Sequence, residues 1–93
     1  MTELSLIKVV AAKPLGGHRL QLQFSDGSTG ERDFSDVVAG GGPMLDPLRD
    51  ETYFGRVFID FGAPTWPNGY DLAPHALHAE MLAAGLLRQA APA

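Results

Sequence analysis

The chain has 93 residues, of which 45% are hydrophobic and 19% charged; it has no cysteine and a formal net charge of −4. That length describes one small globular domain that buries roughly 60–70% of its unfolded surface. Without cysteine there are no disulfides, no thiolate chemistry and no thiolate zinc sites, which suits a reducing compartment. The 7 basic residues are scattered, so an acidic chain of this kind is poorly suited to neutralising nucleic-acid phosphates. No apolar run approaches the ~20 residues that span a bilayer. The first residues lack the charged-then-apolar order of a signal peptide, so the expected location is cytoplasmic.

Residues 4–12 are rich in aliphatic and β-branched side chains and predict a first strand, with Ile7, Val9 and Ala11 on one face and Leu6, Lys8 and Val10 on the other. A Gly-Gly turn follows, holding His18, for which no partner is evident. Residues 18–25 then alternate strictly: Leu20, Leu22 and Phe24 face in, Arg19, Gln21 and Gln23 face out. Asp26-Gly27 is a hairpin signal. The returning strand, residues 28–34, is polar and weakened by Gly30, and reads as an edge or exposed strand anchored by Phe34. Ser35 is placed to cap a short helical turn through Asp36, Val37 and Val38.

Gly40, Gly41, Gly42 and Pro43 end that turn and form a connector. They lack the Lys-Ser/Thr of a phosphate loop. Asp46 before Pro47 reads as a cap and first-turn pair, and Asp50, Glu51 and Thr52 begin or continue a short helix ending near Phe54 and Gly55. Residues 56–61 predict a buried strand, with Val57, Ile59 and Phe61 on one face and Phe58 and Asp60 on the other. Gly62, Ala63 and Pro64 break or bend it, and Pro64, which has no N–H, belongs at an edge. A last helix starts at Pro74 and ends at Gly85. Leu77, Met81 and Ala84 repeat at helical spacing toward the sheet, flanked by Leu82, and Leu86 is placed to close over the end. The expected domain covers residues 1–87, with residues 88–93 as a disordered tail.

Residues 65–72, Thr-Trp-Pro-Asn-Gly-Tyr-Asp-Leu, hold the only Trp and read as strand end, tight turn and helix entry. Pro67 presets the second position of a turn that Asn68 and Gly69 complete. Two roles fit this stretch. Trp66 either plugs the core while the turn reverses the chain, or Trp66, Asn68, Tyr70 and Asp71 line a binding surface.

Other chemistry is thinly supported. His75 and His78 share a helix face and with Asp71 or Glu80 imitate a metal site, but two histidines in the first turns of a short helix are more simply exposed side chains, and neutral ones beside a positive helix end. A Ser-His-Asp set assembled from Ser25 or Ser35 has no supporting motif context. Acid pairs among Asp33, Asp36, Asp60 and Asp71 arise by chance in a chain with 11 acids. No catalytic residue, metal or cofactor is therefore expected.

The run from Gly42 to Asp50, then Tyr53-Phe54 and Val57, then Trp66-Pro67-Asn68-Gly69 with Asp71-Leu72-Ala73-Pro74, resembles a small bacterial family catalogued as domain of unknown function 2442. Phe24, Asp26-Gly27 and Asp33-Phe34 fit the same pattern, so the resemblance covers residues 4–80. It implies an α+β fold: a small antiparallel meander with later strands, short helices and one C-terminal helix packed on the sheet. Some members carry a DNA-binding helix-turn-helix after this domain, for which this chain is expected to be too short. Others resemble partner halves of two-gene toxin–antitoxin units. No catalytic residue comes with the resemblance. Where members have Ser or Thr before Pro74, this chain has Ala73, which costs about 1 kcal/mol of helix stability unless Asp71 reaches the free N–H groups. Ala63-Pro64 also replaces a more strand-like pair.

The expected function is thus a non-catalytic, cytoplasmic protein-interaction module. Its partner is another protein or a second copy, met through a strand edge, the Trp66–Asp71 turn or the glycine connector. No nucleic acid, membrane or small-molecule substrate is expected. The alternatives are an antitoxin-like subunit holding a small basic toxin and, more remotely, a small enzyme or metal-binding protein.

Overall fold

The alternation of Leu20, Leu22 and Phe24 with Arg19, Gln21 and Gln23 forms the centre of the structure. A computed structural model of the chain describes residues 7–89. Its elements are β1 (Val9–Pro14), β2 (Arg19–Phe24), β3 (Ser28–Asp33), α1 (Ser35–Ala39), a 3-10 turn (Asp46–Arg49), α2 (Glu51–Phe54), β4 (Phe58–Asp60), β5 (Ala63–Thr65), α3 (Pro74–Ala83) and β6 (Arg88–Gln89). The fold is α+β, as predicted: an antiparallel sheet in the order β1-β2-β3-β6, a separate β4-β5 hairpin, short helices and a C-terminal helix. Leu20, Leu22 and Phe24 are buried together with Val9, Phe34, Val38, Leu48, Phe54 and Trp66, and Leu77 and Met81 pack α3 into the same cluster. Among the described residues no helix is long and apolar enough to cross a membrane.

Several expectations shift by one position, each for a local reason. In β1, Val9 pairs with Phe24 and Ala11 with Gln23, so Val10 is the extra residue of a β-bulge. The bulge changes the inward parity: Val9 and then Ala12 turn toward the core, while Ala11 is exposed. Residues 4–6 of the expected strand lie outside the described residues. Ser35, the expected cap of α1, is its first residue instead. Its N–H and Oγ both donate to Asp33 Oδ1, at 2.8 and 2.6 Å. Asp46 likewise sits inside the 3-10 turn, after Leu45. Asp50 is the residue that caps, accepting from the Thr52 N–H at 2.9 Å to start α2.

The largest departure is at residues 56–61. The buried strand expected there is only Phe58–Asp60, with Ile59 half-buried and Phe58 exposed. Phe61 does not continue it. Phe61 and Gly62 are the two central residues of a tight β4-β5 turn, with φ of 51° and 81°. Positive φ at both positions is the geometry of a type I′ hairpin turn, whose twist matches that of the strands it joins. A residue inside such a turn has no sheet face to bury against, and Phe61 is 96% exposed.

Helix α3 begins at Pro74 with no side-chain cap from Ala73, and Asp71 does not substitute. At its other end the Gly85 N–H donates to Leu82 O at 3.1 Å and the Leu86 N–H to Met81 O at 2.9 Å, a paired closure of the last turn. Ala84, expected to face the sheet, is exposed, because it is already the C-cap where the chain turns off the helix. The backbone then crosses β3 at Gly30, where a Cβ would collide with the Leu86 carbonyl. Arg88 and Gln89, at the start of the expected tail, pair with Thr29 and Ser28 as β6; residues 90–93 lie outside the described residues. The expected edge strand β3 is therefore covered over its first two residues and uncovered after them.

Candidate interaction surface

The Trp66 turn is closed by its own hydrogen bonds, with the Trp66 ring turned inward. Trp66 is 1% exposed. Its Nε1–H donates to Phe54 O at 2.8 Å, and its ring lies against those of Phe54 and Tyr70, at 5.4 and 5.9 Å. The Gly69 N–H returns to Trp66 O at 2.8 Å and the Trp66 N–H donates to Tyr70 O at 2.9 Å, closing a loop of Pro67, Asn68 and Gly69. Asn68 accepts from the Tyr70 N–H at 3.1 Å and donates through Nδ2 to Met44 O at 3.0 Å, fastening the glycine connector to the turn. Asp71 is exposed and bridges Thr65 through the backbone. Of the four residues singled out from sequence, Trp66 is core, Asn68 is occupied in holding the loop, Tyr70 is half-buried, and Asp71 alone stands free on the surface.

The three histidines are placed differently from one another. His75 is exposed. His78 turns back to the β2-β3 hairpin, where its Nε2–H donates to Asp26 Oδ2 at 2.9 Å and its ring meets Phe24 edge-on at 4.9 Å. Asp26 also accepts from the Ser28 N–H at 2.9 Å and from Ser28 Oγ at 2.6 Å. Partial burial opposes ionisation of Asp26, but the two bonds from Ser28 and the His78 contact outweigh it and hold its carboxyl below the ordinary value. The order is Ser-Asp-His, with the carboxylate in the middle. The Ser28 hydroxyl gives its proton to the acid, with no imidazole beside it, and is buried. The cluster therefore clamps a hairpin onto α3. His18, with no partner evident from sequence, has two: its Nε2–H lies 3.0 Å from both Leu48 O and Arg49 O, and its ring sits edge-on to Phe54. Among the described residues no three His, Asp or Glu side chains converge to hold a metal.

Arg32 is the other junction. Its side chain is 11% exposed, its guanidinium lies 4.5 Å from the Phe34 ring centre, and it reaches Glu80 at 2.6 Å and Asp36 at 3.5 Å. It thereby joins β3 to α1 and α3 across the end of the core.

Apart from Leu82 on α3, which is exposed rather than flanking the residues that face the sheet, and Met44 in the glycine connector, the surface features that stand out are the β4-β5 tip and the uncovered part of β3. At the tip, Phe61 is the most exposed large apolar side chain among the described residues. Phe58 on the same hairpin is 46% exposed, and Val10, the bulged residue of neighbouring β1, is 53% exposed. The Val9 N–H donates to Gly62 O at 2.8 Å and Lys8 packs over Gly62, so the tip is pinned to β1. Sequence reading missed Phe61 because its apolar character fits a strand. The available signal was Phe-Gly between two short extended runs, the second holding Pro64.

These features describe a small α+β domain: an antiparallel meander closed by one helix, with its strongest sequence signature spent on an internal turn. The chain belongs to the family described as protein of unknown function (DUF2442), whose model matches residues 9–81. The match runs from the first residue of β1 into the last turns of α3, and so includes the Trp66 turn, the Phe61 tip and the Asp26–His78 clamp. Comparison with curated proteins and with solved structures finds no match.

Proposed function

We propose that this domain is a non-catalytic protein-interaction module of the bacterial cytoplasm, and that Phe61 anchors its partner. The carrying observation is a large aromatic ring, 96% exposed, on a residue with φ of 51°. Left-handed backbone costs a residue with a Cβ roughly 1–2 kcal/mol, and Asn, Asp or Gly meets that geometry at lower cost. An aromatic there is costly to the free domain twice over, in backbone strain and in apolar surface left in water. Insertion of the ring into a partner's pocket repays both, as buried aromatic anchors do at interfaces. Phe58 on the same hairpin and Val10 on neighbouring β1 are exposed apolar side chains as well. A narrower form of this reading, an antitoxin-like subunit holding a small basic partner, is favoured by the net charge of −4. A small basic protein encoded beside this one is its signature.

The test is to recover the protein that co-purifies with the tagged chain from its native cells, then to measure its affinity for the wild type and for Phe61→Asn by calorimetry. The expected result is a folded variant with a loss of about 2 kcal/mol or more in binding, as for an interface hot spot. No partner or self-association at micromolar concentration, or undiminished affinity of Phe61→Asn, overturns the reading.

A further inference from the structure

We propose that the outer edge of β3 beyond Thr29 accepts an extended segment of alternating basic and apolar residues as an added strand. This rests on the reading of the domain as an interaction module. It names a second surface, across the sheet from Phe61, and the chemistry of its occupant.

Strand β6 pairs with Ser28 and Thr29 only, while β3 continues to Asp33. Among the described residues nothing pairs with β3 on that side after Thr29. The ladder fixes which groups face out. The Phe34 N–H donates to His18 O at 2.7 Å, on the β2 side. Alternate residues of an antiparallel pair turn their groups to the same neighbour, so Arg32 and Gly30 also face β2. Glu31 and Asp33 turn theirs outward, in phase with Thr29, whose own face β6. Asp33 O accepts from Arg32 Nη1 at 3.0 Å. The Glu31 N–H and C=O and the Asp33 N–H are left for an added strand. Strand β6 is absent here because the backbone arrives from α3 across Gly30. That crossing leaves an open cleft of about 530 Å³ between the β3 edge, Glu80 of α3, the C-cap Ala84 and Leu86.

The occupant's charge follows from the side chains at this edge. Glu31, Asp33, Asp36 and Glu80 surround it. Against them stand Arg32, already engaged by Glu80 and Asp36, and Arg19, which lies 3.9 Å from Glu31. Asp33 is held ionised by the Ser35 hydroxyl and amide. A second copy pairing two-fold along this edge about Arg32 sets Glu31 against Asp33 and Arg32 against itself, like charges directly opposite. A basic strand relieves what a second copy aggravates. On the other face of the added strand Ala84 and the half-open Leu86 offer an apolar floor, hence the alternation.

The experiment is an NMR titration of the isotope-labelled chain with two short peptides, one alternating lysine and valine, the other glutamate and valine. In the free chain the Glu31 and Asp33 amides exchange rapidly while that of Arg32 is protected. The lysine peptide shifts and protects Glu31 and Asp33, more weakly as salt is added; the glutamate peptide does not. Glu31→Pro removes an outward donor and no bond to β2, and weakens peptide binding about tenfold. If that variant fails to fold, Glu31→Lys, which keeps the N–H and reverses the charge, weakens binding in its place. Protected Glu31 in the free chain, no response to the lysine peptide, or equal response to both peptides overturns the proposal. Phe61→Asn leaves this titration unchanged. Failure here with Phe61-dependent partner binding intact therefore overturns the strand-edge proposal alone.

Discussion

Strand β5 is Ala63–Thr65, and an aromatic residue lies just beyond each end: Trp66 after it, and Phe61 before it across Gly62. Trp66 is 1% exposed, with its N–H bonded and its ring packed on two others; Phe61 is 96% exposed in left-handed backbone. The two side chains are alike in hydrophobicity and differ in the turn each belongs to. Trp66 is the last extended residue before its loop and ends a run, Pro64 to Trp66, that is buried without a break, so its ring lies within the core. Phe61 is inside its loop, where no strand face continues. Burial here is decided by the position of a residue relative to a turn.

The largest way to test this contrast is at Trp66. Trp66→Ala removes a fully buried ring and should cost about 3–5 kcal/mol. Against a total of roughly 5–15 kcal/mol for a domain, urea denaturation should find it unfolded or nearly so. Trp66→Phe keeps most of the apolar volume but leaves Phe54 O without its donor, and should cost less, about 1–3 kcal/mol. An unchanged denaturation midpoint for Trp66→Ala would mean that the indole does not support the core, and the comparison would collapse.

A medium effect is expected at the hairpin that is built like the Trp66 loop. Asp26 accepts from the N–H two residues on, as Asn68 does, and a left-handed glycine, φ 91° at both Gly27 and Gly69, separates acceptor and donor. One loop is tied off by Met44 O and the other by His78. Asp26→Ala strands the buried Ser28 donors and should cost about 1–3 kcal/mol. The acid also marks the pH dependence. Its folded pKa is below the ordinary 3.8. Its contribution is therefore present above 3.8 and is lost as pH falls through the lowered folded value, since the unfolded chain binds the proton first. Denaturation midpoints measured downward from pH 5 should fall less steeply for Asp26→Asn than for the wild type. Equal slopes would place the acid sensitivity elsewhere, with Asp33 next to examine.

Much of this was legible in the residues themselves. Strict alternation located β2, Asp-Gly located its hairpin, and Pro74 with Gly85 bounded α3, because each of these signals is local. What escaped depends on partners distant in sequence. The bulge at Val10 is visible only once β1 is laid against β2. Gly30, read as a weak point in a polar strand, is the place where the chain leaving α3 crosses. His18 gains its two carbonyl acceptors some thirty residues later. At the candidate surface the signature run from Trp66 to Asp71 was conspicuous because turns and aromatics are conspicuous. Asp71 apart, its chemistry is used up internally, and the exposed aromatic lay in a stretch whose apolar pattern imitates a strand.

The smallest expected effect, and the one that separates fold from function, is at Phe61. Phe61→Asn replaces a strained, exposed ring with a residue that accepts left-handed backbone, and should leave stability unchanged or raise it by up to about 1 kcal/mol. Phe61→Asp should gain less, since it sets a second acid beside Asp60. A thermal shift upward for Phe61→Asn, beside collapse for Trp66→Ala, would place the two aromatics of one hairpin on opposite sides of the trade between stability and use. A clear loss of stability in Phe61→Asn would show that the ring supports the fold after all, and would remove the reason for seeking a partner at the tip.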